Sequence, residues 1–200
     1  MKLKNGLNLI MNKLLLILIL TLSFQTLTKA DDISDFQIEG MSIGDSLLDY
    51  MTVNEIKNAD RNYVKNKKYY VVGHQKNLKT YETMDIYLKS GDKKYIVRSL
   101  GGTIFMNVNK CLLQKKIIVD ELKSLFPNLV PKNFKLDHIY DKSGKSKQHQ
   151  TVFLLKNDAH VRVECVDWSK KINNKNNWQD NLVVASISTE ISQWIESGYK

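Results

Sequence analysis

An α+β fold, an antiparallel sheet with helices packed on one face, is what the apolar pattern of this chain predicts, set behind a cleavable N-terminal signal peptide. Three observations carry that expectation. Short helical segments come first, then strands, then one long amphipathic helix and strands again, an order that suits antiparallel pairing. Segment 159–165 alternates apolar and polar residues with period two, as a strand with one buried face does. Only 2 prolines occur and no Ser/Gly-rich linker interrupts the chain. Residues 31–200 therefore read as a single α+β domain, with a loose two-lobe organisation, 36–106 and 107–200, left open.

The elements follow in order. Lys2, Lys4 and Lys13 precede an uncharged, leucine-rich run from Leu14 to Phe24, and Thr28-Lys29-Ala30 leads into Asp31-Asp32. This is the pattern of a secretory signal cleaved near Ala30. A membrane anchor is the competing reading, and length disfavours it: only residues 14–28 separate Lys13 from Lys29, whereas a crossing helix needs about 20 apolar residues. Translation from Met11 gives a more compact signal than translation from Met1, and both starts stay open. No cysteine follows the apolar run to take a lipid.

Short helices are expected near Leu47 to Met51 and, capped by Thr52, over Val53 to Ala59. Strands are expected at Tyr69 to Val72, Thr83 to Leu88 and Tyr95 to Leu100, the last two joined across Ser90-Gly91-Asp92. Gly101-Gly102 permits a bend before a further strand, Thr103 to Met106. Val108, Cys111, Leu112, Ile118, Val119, Leu122, Leu125 and Phe126 then recur at helical spacing; Asn107 or Asn109 can cap that helix and Pro127 ends it. Strands follow at Lys135 to Tyr140, Thr151 to Leu155, His160 to Val166 and Leu182 to Ser188. A final helix, Glu190 to Glu196, turns Ile191, Trp194 and Ile195 inward and ends near Gly198.

Charge excludes less than it suggests. The formal charge is +9, but removing Lys2, Lys4, Lys13 and Lys29 with the signal lowers it by four, to +5. Lys65-Asn66-Lys67-Lys68 is the densest basic tract, and its short length reads as a solvated face. No nucleic-acid partner is expected. Cys111 and Cys165 are the only cysteines, and both fall on core-facing positions of their elements. Either they form one disulfide or they are two buried thiols; an oxidising compartment favours the bridge.

Three sequence features bear on a site. His160, Arg162 and Glu164 share the strand face opposite Val161 and Val163, and Trp168 continues it, which gives either a polar recognition surface or an ordinary wet face with cross-strand charge pairs. Gly144-Lys145-Ser146 imitates the end of a phosphate loop, but Ile139 stands where the first glycine belongs. That segment reads as a solvated loop in which Lys142, Lys145 and Lys147 offer a weak anion site. The tyrosines Tyr63, Tyr69, Tyr70, Tyr81, Tyr87 and Tyr95, interleaved with lysines, read as strand formers or as stacking platforms. The histidines His74, His138, His149 and His160 lack the spacing of a metal motif, so neither a metal nor a cofactor is expected.

The segment from Phe36 to Tyr50 with its Gly40-Met41-Ser42 turn, the stretch Asp141-Lys142-Ser143-Gly144-Lys145-Ser146, and Cys165-Val166-Asp167-Trp168-Ser169 resemble an uncharacterised family of small exported proteins from AT-rich marine bacteria. More distantly, a Gly-Met-Ser turn entering a short helix and followed by hairpins is similar to outer-membrane-assembly lipoproteins and β-lactamase-inhibitor-like domains, although the acylated cysteine of those lipoproteins is absent here. The resemblance implies a binding or assembly module. The expectation is thus a periplasmic or secreted protein that binds a protein or small molecule without catalysis and keeps no membrane anchor after cleavage. The alternatives are a hydrolase whose catalytic residues assemble only in space, and a small-molecule carrier.

Overall fold

The computed structural model describes residues 32–59 and 68–197. The leader, Tyr63, the Lys65 to Lys67 part of the basic tract and Gly198 lie outside the described residues. Among those described, no helix is long and apolar enough to cross a membrane.

Sequence chemistry starts the fold at a tight hairpin. Strands β1 (Gln37–Ile38) and β2 (Met41–Ser42) pair antiparallel across Glu39 and Gly40, both at positive φ, 55° and 81°. That pair of angles is what a two-residue hairpin turn requires. The Glu39 side chain then accepts backbone N–H groups of Lys79, Thr80 and Tyr81 at 2.9, 2.6 and 3.1 Å, tying the hairpin to the approach of a main-sheet strand. Ser46 caps a single 3-10 turn, Leu47–Asp49. Helix α1 (Val53–Asn58) follows under a full capping box between Thr52 and Glu55.

The main sheet has seven strands: β3 (Tyr69–His74), β4 (Thr83–Lys89), β5 (Val97–Phe105), β6 (Lys132–Asp137), β7 (Lys147–Leu154), β8 (His160–Asp167) and β9 (Asn181–Ile187). Their spatial order is β3-β4-β5-β9-β8-β7-β6, and every neighbouring pair is antiparallel. Two meanders, β3-β4-β5 and β6-β7-β8-β9, meet where β5 pairs with β9 from Ser99↔Ile187 to Phe105↔Asn181. Each meander is preceded by a helix, α1 for the first and α2 (Val108–Leu125) for the second.

Helix α2 holds the core closed. The Asn107 side chain accepts from Lys110 N at 3.0 Å to cap it, and Cys111, Val119 and Leu122 form its buried stripe. It packs on β8 and β9, where Val161, Val163, Cys165, Leu182 and Val184 point towards it. Burying one such leucine contributes about 2 kcal/mol. Cys111 and Cys165 form a disulfide with their Cα atoms 5.8 Å apart. Closing the intervening loop is worth about 4 kcal/mol in the chain-entropy picture.

The α+β class and the antiparallel sheet match the sequence pattern, and four details differ. Helix α4 (Thr189–Glu196) packs on the face opposite α2, because Ala185 and Ile187 alternate with Val184 and Ser186 and carry Ile191 and Trp194 to that side, where Trp194 meets Tyr69 at 4.8 Å between ring centroids. Helices therefore cover both faces. Strand β5 runs unbroken through Gly101-Gly102, since both glycines stay extended; a Cβ on Gly102 would lie only 2.4 Å from the Tyr81 ring. Strand β6 ends at Asp137, earlier than its apolar residues suggest, and β7 begins at Lys147, because residues between them close a turn around Asp141. Helix α3 (Lys170–Asn176) has no apolar stripe to announce it and stops at Asn177, whose φ is 53°.

Candidate functional site

Strand periodicity divides β8 and its neighbours into two chemically different faces. On the face away from α2, register aligns Asp85, Gly101, Ala185, Arg162 and Val152 in one row across β4, β5, β9, β8 and β7. The next row reads Thr83, Thr103, Val183, Glu164, Gln150 and Phe134. Helix α4 rises over one end. A cleft of about 140 Å³ lies in its angle, with Gly101 and Ala185 as floor, Arg162 on one wall, Asp85 and Tyr87 on another, and Ile187, Ile191 and Ile195 against the helix.

Glu164 explains the order on this face. Although its strand face is not the one α2 covers, it is 3% exposed. A carboxylate out of water needs partners, and it has three. Gln148 Nε2 and Gln150 Nε2 donate to its two oxygens at 2.5 and 3.2 Å, and Arg162 Nε forms an ion pair with Oε2 at 3.1 Å. That approach lies off the N–H axis, so Nε itself makes no aligned hydrogen bond. The terminal amino groups of Arg162 carry no partner among the described residues, and the side chain lines the cleft. Gln148 and Gln150 hold Glu164, and Glu164 positions Arg162.

His160 is the next residue on the same face. Burial pushes its pKa below the ordinary histidine value, and Arg162 pushes the same way, against the hydrogen bond with Asp158 O. Trp168 follows the end of β8, at the far end from α4.

There Trp168 belongs to an aromatic group. Its ring centroid lies 4.1 Å from His138 and 4.6 Å from Trp178, while Tyr140 sits 5.6 Å from His138 and 5.8 Å from Trp178. Asp180 Oδ1 accepts from Trp168 N at 2.9 Å and fixes the strand exit. Burial holds His138 below its usual pKa, against the opposing pull of the Glu164 and Asp141 carboxylates. Tyr140 remains 60% exposed, and Phe134 and Leu136 on edge strand β6 add exposed apolar area.

The glycine-containing loop has its own internal anion. Asp141 accepts from the Ser143 and Ser146 hydroxyls at 2.6 and 2.7 Å, from their backbone N–H groups at 3.0 and 2.9 Å, and from Ser169 Oγ at 2.9 Å. These donors, the Ser143 and Ser146 hydroxyls first, hold its carboxyl well below the usual range. The donors that make the segment look like a phosphate loop are thus directed at a side chain of the same loop. Lys147 is engaged by Asp137 at 2.6 Å, while Lys142 and Lys145 are exposed.

Other sequence candidates resolve individually. The disulfide leaves neither Cys111 nor Cys165 a thiol to act as nucleophile. Tyr69 is fully buried, Tyr81 packs on Gly102, and Tyr87 lines the cleft. Ile195, expected to face inward, is 37% exposed at the cleft, while Ile191 and Trp194 take the buried positions. Among the described residues no three His, Cys, Asp or Glu side chains are grouped to hold a metal ion.

Sequence reading missed Asp85 and Ala185, and the place of Tyr87 and Gly101 beside them in the cleft, because nothing local reveals that β4, β5, β9 and β8 lie side by side. It also missed the joining of His138, Tyr140 and Trp178 with Trp168; the alternation of His138 and Tyr140 on one side of Ile139 was the available signal. Comparison with family models, with curated proteins and with solved structures gives no match.

Proposed function

We propose that this chain is an exported, periplasmic or secreted binding module that recognises a ligand or partner through the sheet face opposite α2. The observation that carries the reading is Glu164. On an ordinary wet strand face a carboxylate stays hydrated; here it is buried and enclosed by Gln148, Gln150 and Arg162. Such fixing of an arginine beside a cleft is how recognition surfaces reduce the ordering cost of binding. The exposed Tyr140, Phe134 and Leu136 extend that face with apolar area suited to contact. Export rests on the leader's charge and apolar pattern and is supported by the disulfide.

Immobilised protein spanning residues 31–200, incubated with periplasmic extract, tests this reading. Retention of a partner by the unaltered protein, its loss with Phe134→Ser plus Tyr140→Ala, and its persistence with Leu113→Ser on the outside of α2 are the expected results. Equal retention by both variants would overturn the assignment of the face. Turnover of an ester, amide or glycoside panel, sensitive to substitutions on this face, would replace the module with the hydrolase alternative.

A further inference from the structure

The cleft beside α4 has a composition that selects a ligand class. Arg162 supplies its cationic wall. With Nε turned to Glu164, the terminal amino groups, which have no partner among the described residues, form the outer end of a planar fork, the geometry that matches the two oxygens of a carboxylate. The floor exists because side chains are small. Gly101 and Ala185 sit directly opposite each other on β5 and β9, and a Cβ on Gly101 would come within 3.3 Å of the Ala185 Cβ. The third wall is hydrocarbon: Ile187 and Ile191 are buried, and Ile195 is partly exposed.

Volume limits what fits. A cleft of about 140 Å³ is close to the apolar cavity of about 150 Å³ that accepts one benzene molecule, so the enclosed part of a ligand has roughly six non-hydrogen atoms. The hydrocarbon of Ile187, Ile191 and Ile195 offers a second carboxylate no donor.

We infer that this cleft binds a short, branched aliphatic monocarboxylate, its oxygens on the Arg162 fork and its hydrocarbon against Ile187, Ile191 and Ile195. The inference rests on the reading of this face as a binding surface and names the ligand chemistry it takes. A free short-chain acid and the C-terminal residue of a peptide share that chemistry.

Titration of isotopically labelled protein, followed by amide and arginine side-chain resonances, tests the assignment. Isovalerate should shift Gly101, Ala185 and Arg162 saturably, with a Kd of about 1 mM. Isovaleramide, which has the same shape without the charge, should bind at least about tenfold more weakly, and succinate likewise. N-acetyl-leucine binding more tightly than isovalerate identifies a peptide terminus as the source; weaker binding identifies the free acid. Ile195→Glu changes a partly exposed residue, keeps the fold and should weaken isovalerate at least about tenfold. Arg162→Gln combined with Glu164→Gln removes both charges together and should abolish the preference for acid over amide. No saturable shift with isovalerate, equal binding of acid and amide, or undiminished binding by Ile195→Glu would overturn the inference; should the double variant not fold, Ile195→Glu decides alone. Absence of isovalerate binding, with partner capture still lost in the Phe134/Tyr140 variant, would sink the carboxylate assignment and leave the binding module standing.

Discussion

The two faces of strand β8 are built from alternate residues of one short segment, yet they follow opposite rules. Val161, Val163 and Cys165 meet α2 in an apolar layer where shape and volume matter and charge has no place. Arg162 and Glu164, interleaved with them, form a polar group in which each member depends on the next. The first arrangement generates stability through many replaceable contacts. The second contributes little stability for its complexity, since a buried charge pair seldom outperforms apolar packing. What it contributes is geometry: it fixes the direction of a guanidinium. Adjacent positions on one strand should therefore give separable phenotypes.

The disulfide provides the largest separation. Replacing Cys111 and Cys165 together by serine should lower unfolding free energy by about 4 kcal/mol, read from urea midpoints, while ligand recognition by the folded fraction stays unchanged. A parallel loss of affinity at temperatures where the variant is folded would show that the two faces are coupled.

The charge group comes second. Arg162→Gln alone leaves Glu164 buried without its cation and should cost about 2 kcal/mol, whereas Arg162→Gln with Glu164→Gln should recover most of that loss. A double-mutant cycle measures this, and additive losses would mean that Arg162 and Glu164 act independently.

Acid titration sharpens the comparison at the loop next to Trp168. Asp141 has a folded pKa below its unfolded value of about 3.9, so its stabilisation is complete above that value and fades as pH falls towards the folded one. The difference in urea midpoint between the unaltered protein and Asp141→Asn should be full at neutral pH and shrink below about pH 4. A difference that stays constant into acid would show that the serine donors act on the asparagine equally well.

The smallest effect expected is at the start of α2. Asn107→Ala removes the side-chain acceptor for Lys110 N and should cost about 1 kcal/mol with no change in isovalerate binding.

Legibility in the sequence follows the range of the forces involved. Helix α2 and its cap, strand β8 and the core-facing placement of Cys111 and Cys165 are written in local periodicity, and each stands where the pattern predicts. Helix α3 is invisible in the pattern because Lys170-Lys171-Ile172-Asn173-Asn174 has no stripe to bury, and the start of β7 is hidden because Lys147-Gln148-His149-Gln150 carries polar residues on both sides. The recognition candidates His160, Arg162 and Glu164 were visible as a face, but the burial of Glu164 was not, since it depends on Gln148 and Gln150 arriving from β7. The cleft was least legible of all. Asp85, Gly101, Ala185 and Arg162 belong to one row only once the sheet order is known.

That sheet order also has a consequence in time. Strand β9 follows the other six main-sheet strands along the chain but stands in the middle of the sheet, between β5 and β8. Until it is in place, β5 and β8 each present an open edge, and the row that forms the cleft is missing its central member. The β5–β9 pairing is the long-range one, and contacts of that kind form more slowly than hairpins. A chain interrupted before Asn181 would keep both edges open, and the same insertion that joins the two meanders also finishes the floor on which a ligand would rest.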